Sequence, residues 1–342
     1  MSGPVQLNTR GAAWTAKRVL FHSGLLALAR QLRRRDRAII LRYHAITDGA
    51  DVDYAAPDIC LPVEALRLQM AFVKRAYRPV DLDTLVEAMH EGRPLPPRAL
   101  AVTFDDGYAD NFHLAFPVLR ALGVPATVFV ATGGLDDGEP FWVAAVRVLV
   151  LRARDAIDVP GMEPMTVPSA GDRGAVVKAV VRSLVPLDGE ERRERLSAAA
   201  ARAGIDLRAA LRGTMMTRAQ VRELHAGGWT IGAHTVSHGN VALMPAADAE
   251  REIAGSRDTL AAATGSPVVH FCYPNTGGQH QYYSGDVASV LRRLGFRSGA
   301  ISGSAAVSPR SDPYFIPRLG VSPRLAPVAE LAAAVERRRL AA

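Results

Sequence analysis

Leu100-Ala101-Val102-Thr103-Phe104-Asp105-Asp106-Gly107 is the stretch from which the fold can be read. Its first five residues are apolar or small, with no polar face, and predict a strand covered on both sides, as in a parallel sheet flanked by helices. Two adjacent carboxylates and a glycine end that strand. Far downstream, Trp229-Thr230-Ile231-Gly232-Ala233 repeats the arrangement and ends on His234-Thr235-Val236-Ser237-His238. Both polar groups therefore follow the carboxyl ends of buried strands, where α/β barrels place their active sites. Asp106, His234 and His238 offer one carboxylate and two imidazoles, a set able to hold a divalent cation with one position open, and Asp105 is left beside them as a base. Adjacent acids are common in caps, and His-x-x-x-His arises easily by chance. The joint pattern at two strand ends, with Gly107 and Gly232 letting the backbone bend nearby, carries the reading.

Other short apolar runs follow the same rhythm. Residues 38–44, 126–130, 268–273, 298–301 and 315–321 predict further strands, and 63–75, 112–122, 247–264 and 286–294 carry helical spacing. Alternating β and α units argue for an α/β barrel or a doubly wound sheet. Thr217-Arg218-Ala219-Gln220 is a capping-box pattern, and Gly227-Gly228 closes its helix just before the strand that delivers His234. Asp110 and Asn111 are expected to cap the helix beginning near Phe112, with Asp110 alternatively reaching toward the residues around the site. Residues 142–213 break the rhythm: helical stretches joined by a Pro/Gly-rich loop predict a helical insertion, either a lid over the site or a covering of the barrel surface. The organisation expected is a basic amphipathic helix over 1–36, a barrel over 37–323 containing the 142–213 insertion, and a C-terminal helix over 324–342.

A hydrophobic content of 49% is that of a folded chain, and the net charge of +7 comes from arginine clusters such as Arg33-Arg34-Arg35 and Arg337-Arg338-Arg339. These clusters lack aromatic or Gly-rich interleaving, so no nucleic-acid partner is expected. Cys60 and Cys272 make no disulfide framework, which fits a reducing compartment. Lys17-Arg18 precedes an apolar run, but His22, Ser23 and Arg30 interrupt it and no small-residue cleavage site follows. The expected location is cytoplasmic. Trp14, Leu20, Phe21, Leu25 and Leu28 form an apolar stripe in residues 12–35, suited to packing on the barrel or to peripheral contact with the inner membrane face.

With these motifs in view, the chain resembles the polysaccharide deacetylases of the NodB-homology type, carbohydrate esterase family 4. Thr103 to Gly107 matches the family's first motif intact, His234 to His238 its second, and Phe271-Cys272-Tyr273-Pro274-Asn275 an altered third. Tyr43-His44 and Phe141-Trp142 resemble one branch, and the likeness spans residues 38–322. It implies an irregular (β/α)7-type barrel with a helical insertion, and hydrolysis of N-acetyl groups on amino sugars in a polysaccharide or glycoconjugate. It also implies a metal, expected to be zinc, on Asp106, His234 and His238, with Asp105 taking the proton from the attacking water. A backbone N–H of the Tyr273–Pro274–Asn275 loop would stabilise the oxyanion.

Two departures stand out. Cys272 replaces an arginine that orients the catalytic aspartate in many members; Arg318, late in the last strand, either substitutes for it or pairs with a helix. No histidine follows His280 where members supply a C-terminal acid, leaving His280 and His44 as candidates. Alternatives are a deformylase or cyclic-amide hydrolase of the same fold, and a catalytically silent carbohydrate-binding scaffold.

Overall fold

The structure, a computed structural model, describes residues 36–49, 52–168, 173–275 and 281–340. The helix expected over residues 12–35, and with it the membrane question, lies outside the described residues, as does His280. Among the described residues no helix is long and apolar enough to cross a membrane.

β1 (Ile39–Tyr43), β2 (Ala99–Phe104), β3 (Thr127–Val130), β4 (Thr230–Ala233), β5 (His270–Cys272), β6 (Ser298–Gly303) and β7 (Ile316–Gly320) are the barrel strands. They run parallel in the order β1-β7-β6-β5-β4-β3-β2, and β1 pairs back onto β2 from Ile39 opposite Leu100 to Tyr43 opposite Phe104, closing the ring. This is the irregular (β/α)7-type barrel with a helical insertion that the sequence predicts. Outside it lie α1 (Val63–Ala76), α3 (Phe116–Leu122), α7 (Arg218–Ala226), α8 (Ala246–Thr264), α9 (Gly285–Arg293) and α10 (Val328–Leu340). The capping box of α7 forms as expected: Thr217 Oγ1 accepts from Gln220 N and Gln220 Oε1 accepts from Thr217 N.

Alternation sorts the strands into two cores. Ile39, Leu41, Leu100, Val102, Val128 and Ile231 face outward, under the helices. Ala38, Ile40, Ala101, Phe129, Cys272, Ala300 and Ile316 face inward with Leu82, Leu85, Val86 and Met89 of α2 (Leu82–Glu91). Thus α2 plugs one end of the barrel, and each of those fully buried side chains contributes roughly 1.5–3 kcal/mol. Asp81 caps α2 through Thr84 N at 2.7 Å, and Gly92 ends it in the left-handed conformation. Gly232 serves packing rather than bending: a Cβ there would lie 2.4 Å from Phe129 Cδ1, so the interior aromatic ring requires glycine opposite.

The 142–213 segment folds into α4 (Trp142–Arg152), α5 (Arg173–Leu184) and α6 (Gly189–Ala203), with a small antiparallel pair, Ala156–Ile157 and Met165–Thr166. Its apolar faces share a cluster with Ala45, Cys60, Tyr108 and Ala131, residues of the barrel-mouth loops.

Candidate active site

β2 carries its inward alternation one residue past Phe104 and so points Asp105 into the barrel mouth. The chain then turns through two left-handed residues, Asp106 at φ 75° and Gly107 at φ 89°. A Cβ on Gly107 would lie 2.9 Å from Val130 Cγ1, so both the angle and the close approach require glycine. The second motif is a loop, not a helical turn, and it too is strained: Thr235 and His238 have φ of 65° and 53°. Such residues cost of order 1–3 kcal/mol each and persist only where surroundings hold them. Here Thr132 N and Gly133 N donate to the carbonyls of Thr235 and Val236, and Glu252 Oε2 accepts from Val236 N and Ser237 N at 2.8 Å each.

The result is convergence. His234 Nε2 lies 3.5 Å and His238 Nε2 3.3 Å from Asp106 Oδ1. Ligands about 2.0–2.1 Å from a tetrahedral ion sit about 3.4 Å apart, so these spacings fit the edges of a zinc-type site. His234 Nδ1 is 2.7 Å from the Cys272 carbonyl, which can only accept, so Nδ1 carries a proton and Nε2 is the nitrogen turned toward Asp106. Burial pushes His238 below its ordinary range, toward the neutral ligand form. On His234 burial works downward too, yet Cys272 and the two aspartates outweigh it and hold the ring above its usual range. Burial would raise Asp106, but the two imidazoles bring it well below the carboxylate range. A cluster that favours positive charge among buried groups suits a divalent cation.

Asp105 stands apart from that set. Arg318 grips it with both ends of the guanidinium, Nη1 to Oδ1 at 2.6 Å and Nη2 to Oδ2 at 2.8 Å. The same Arg318 donates to Thr103 Oγ1 at 3.0 Å and Cys272 Sγ at 2.9 Å and lies over the Phe129 ring at 5.2 Å. Burial alone would raise Asp105, but Arg318 holds it at about 2. Asp105, His234 and Cys272 also fall close enough together to suggest a second metal set. The guanidinium occupying Asp105 and Cys272 excludes a cation there. Arg318 therefore pairs with the aspartate, not with a helix, and Cys272 is small because the arginine arrives from β7. His44 lies at the mouth with Nε2 3.9 Å from Asp105 Oδ2, and burial lowers it to about 4.

The third-motif loop divides in its roles. Tyr273 N donates to the Ala300 carbonyl at 3.0 Å, and its ring packs outward against Phe271 and Phe315. Pro274 has no N–H, which leaves the Asn275 N–H as the loop's candidate donor; the Asn275 side chain donates to Ser302 Oγ at 3.2 Å. Trp142 Nε1 donates to the His238 carbonyl at 3.2 Å while the Phe141 ring packs on the His238 ring at 4.9 Å, so both anchor the second motif. A cavity of about 1100 Å³ opens beside them, lined by Trp142, Leu187, Ser237, Asn240 and Met244. The helix caps expected of Asp110 and Asn111 do not form, and Asn111 has a role that sequence spacing does not signal. Their side chains reach instead to the segment around His44.

Comparison with known proteins agrees with this fold. A family model described as polysaccharide deacetylase matches residues 92–178 and 190–299. The poly-beta-1,6-N-acetyl-D-glucosamine N-deacetylase of Escherichia coli K12 is 34% identical over 112 residues, 32% of this chain but only 16% of that enzyme's length. In fold, the chain resembles the Streptococcus pyogenes deacetylase PplD in complex with acetate, with a TM-score of 0.60 and 16% identity over 88% of this chain and 99% of that one. IcaB from Ammonifex degensii gives a TM-score of 0.56 and 18% identity over 88% and 97%.

Proposed function

The chain belongs to the polysaccharide deacetylase family, and from that premise we propose that it hydrolyses N-acetyl groups on amino sugars of a polysaccharide or glycoconjugate, using a divalent metal held by Asp106, His234 and His238. The carrying observation is the meeting of those three ligand atoms beside an unligated carboxylate, Asp105. Zinc fits the mixed nitrogen and oxygen donor set best. When bound, the ion supplies Lewis-acid chemistry, making water nucleophilic at neutral pH and polarising the acyl oxygen.

The chain's own residues do the rest. Asp105 takes the proton of the attacking water, and the Arg318 fork keeps it ionised and fixed in orientation. His44, with Nε2 3.9 Å from Asp105 Oδ2, relays a proton to the leaving amine: burial keeps its ring neutral at rest, so it receives from Asp105 the proton taken from water and passes it on. The Asn275 N–H is the donor we assign to the developing oxyanion. The cavity beside Trp142 gives room for sugars flanking the reacting one.

Metal content and acetate release from N-acetylglucosamine oligomers test the reading. Asp105→Asn is expected to keep the metal and lose roughly 10²–10⁴ in rate, while His238→Ala loses the metal itself. Metal bound by the wild type without turnover on any acylated amino sugar would sink it in favour of a silent scaffold.

A further inference from the structure

His44 is the single residue between β1 and the short strand Ala45–Thr47, so its carbonyl belongs to neither ladder. That carbonyl is taken by Asn111 Nδ2 at 2.7 Å, and the same amide donates to Asp110 Oδ1 at 2.7 Å. Asp110 Oδ1 accepts from Ile46 N at 3.0 Å, and Oδ2 accepts from the Tyr54 hydroxyl at 2.8 Å. The His44 segment is therefore held from both sides, at its own carbonyl and at the amide two residues on. Asn111 is fully buried and Asp110 nearly so, and water cannot replace these bonds. Residues Asn111–Ala115 form a π-turn before α3, a local departure from the α-helix that recurs at functional sites.

We propose that Asp110 and Asn111 are positioning residues for His44, fixing its backbone so that the imidazole stays opposite Asp105. The proposal rests on the reading of His44 as the proton carrier given above. A side chain displaced by about 1 Å can lose 10²-fold in rate, so clamping the backbone on both sides is a direct route to catalysis.

A double-mutant cycle decides it, with metal content checked in every variant. Asn111→Ala is expected to lower kcat for acetate release by roughly 10–100-fold with KM changed by less than about 3-fold. In a His44→Ala background the same substitution should change kcat by less than about 2-fold, because it acts through His44. Tyr54→Phe, a milder release of Asp110, should show a smaller loss that also vanishes in that background. Independently, in ¹³C/¹⁵N-histidine-labelled metal-loaded protein, Asn111→Ala should move the ring resonances of His44 and leave those of His270 in place. Equal losses in both backgrounds, or unmoved His44 resonances, overturn the proposal. If His44→Ala retains full activity while Asp105→Asn does not, the role of His44 fails, and the resonances still decide whether the clamp exists.

Discussion

The two ends of the barrel each hold a buried histidine against a carboxylate, and they differ in how much hydrogen-bonding and coordinating capacity they leave unspent. At the closed end, His270 Nδ1 meets Ser298 Oγ at 2.8 Å and its Nε2 meets Asp83 Oδ1 at 3.0 Å. The residue types are those of a hydrolytic triad. Yet His270 and Ser298 are fully buried, both ring nitrogens are spent, and no left-handed residue lies among the three. The arrangement pins the plug helix α2 to β5 and β6. At the mouth, His234 spends one nitrogen on a carbonyl and keeps the other toward Asp106, with a second carboxylate alongside and strained backbone at Asp106, Thr235 and His238. What separates a strut from a site is unspent coordinating capacity held in place by strain, not the identity of the residues.

Exchanging the same side chain at the two ends gives the largest contrast. His238→Ala should abolish metal binding and reduce acetate release to background while leaving the fold. His270→Ala should leave acetate release per folded molecule within about 3-fold but lower stability by about 2–4 kcal/mol, from two lost hydrogen bonds and a cavity. Denaturant titration and metal analysis on both variants check this. A catalytic loss in His270→Ala with its stability unchanged would break the distinction.

Arg318 sharpens it next. Replacing it with Met leaves Asp105 buried without a partner, and loss of one half of such a pair costs roughly 3–5 kcal/mol. The sign with pH is fixed by the depressed Asp105. Its folded value of about 2 lies below the ordinary value of roughly 3.9, so its contribution is present above about pH 4 and is lost as pH falls toward 2. The gap between wild type and Arg318→Met should therefore be widest near pH 7, narrow below about pH 4 and close toward pH 2, where a protonated Asp105 needs no cation. Arg318→Lys keeps the charge but not the fork, and should recover stability more than turnover.

Much of this was legible in the chain because the strands are covered on both faces and read as uninterrupted apolar runs; all seven were found within two residues of their ends. The convergence of Asp106, His234 and His238 was legible because strand ends deliver them. The inward face was not, since double-sided burial erases the alternation that would show which residues line the interior, and so the sequence leaves Arg318 open between pairing with Asp105 and pairing with a helix. The plug α2 was overlooked although Asp81 and Gly92 mark its ends, because a helix of ten residues inside a barrel breaks the β/α rhythm. Asp110 and Asn111 read first as caps, the usual role of those residues before a helix, with a reach toward the site open for Asp110 alone. A π-turn and a neighbouring carbonyl without a ladder partner redirected them, and neither is visible in sequence spacing.

The smallest effect belongs to Asp83, and it tests the comparison from the quiet side. His270 hydrogen-bonds Asp83 and lowers it below the ordinary carboxylate range, with burial working the other way and Arg297 helping. The side chain is 38% exposed, so screening limits its worth and Asp83→Asn should cost no more than about 0.5–1 kcal/mol at pH 7. Because the shift is downward, that contribution exists above the unfolded value of roughly 3.9 and fades as pH falls below it. Wild type and Asp83→Asn should thus converge in stability below about pH 4 while their acetate release stays equal throughout. If Asp83→Asn altered the pH profile of turnover, the closed end would be coupled electrostatically to the mouth across the apolar layer of Ile40, Phe129 and Ile316, and the separation of strut from site would have to be given up.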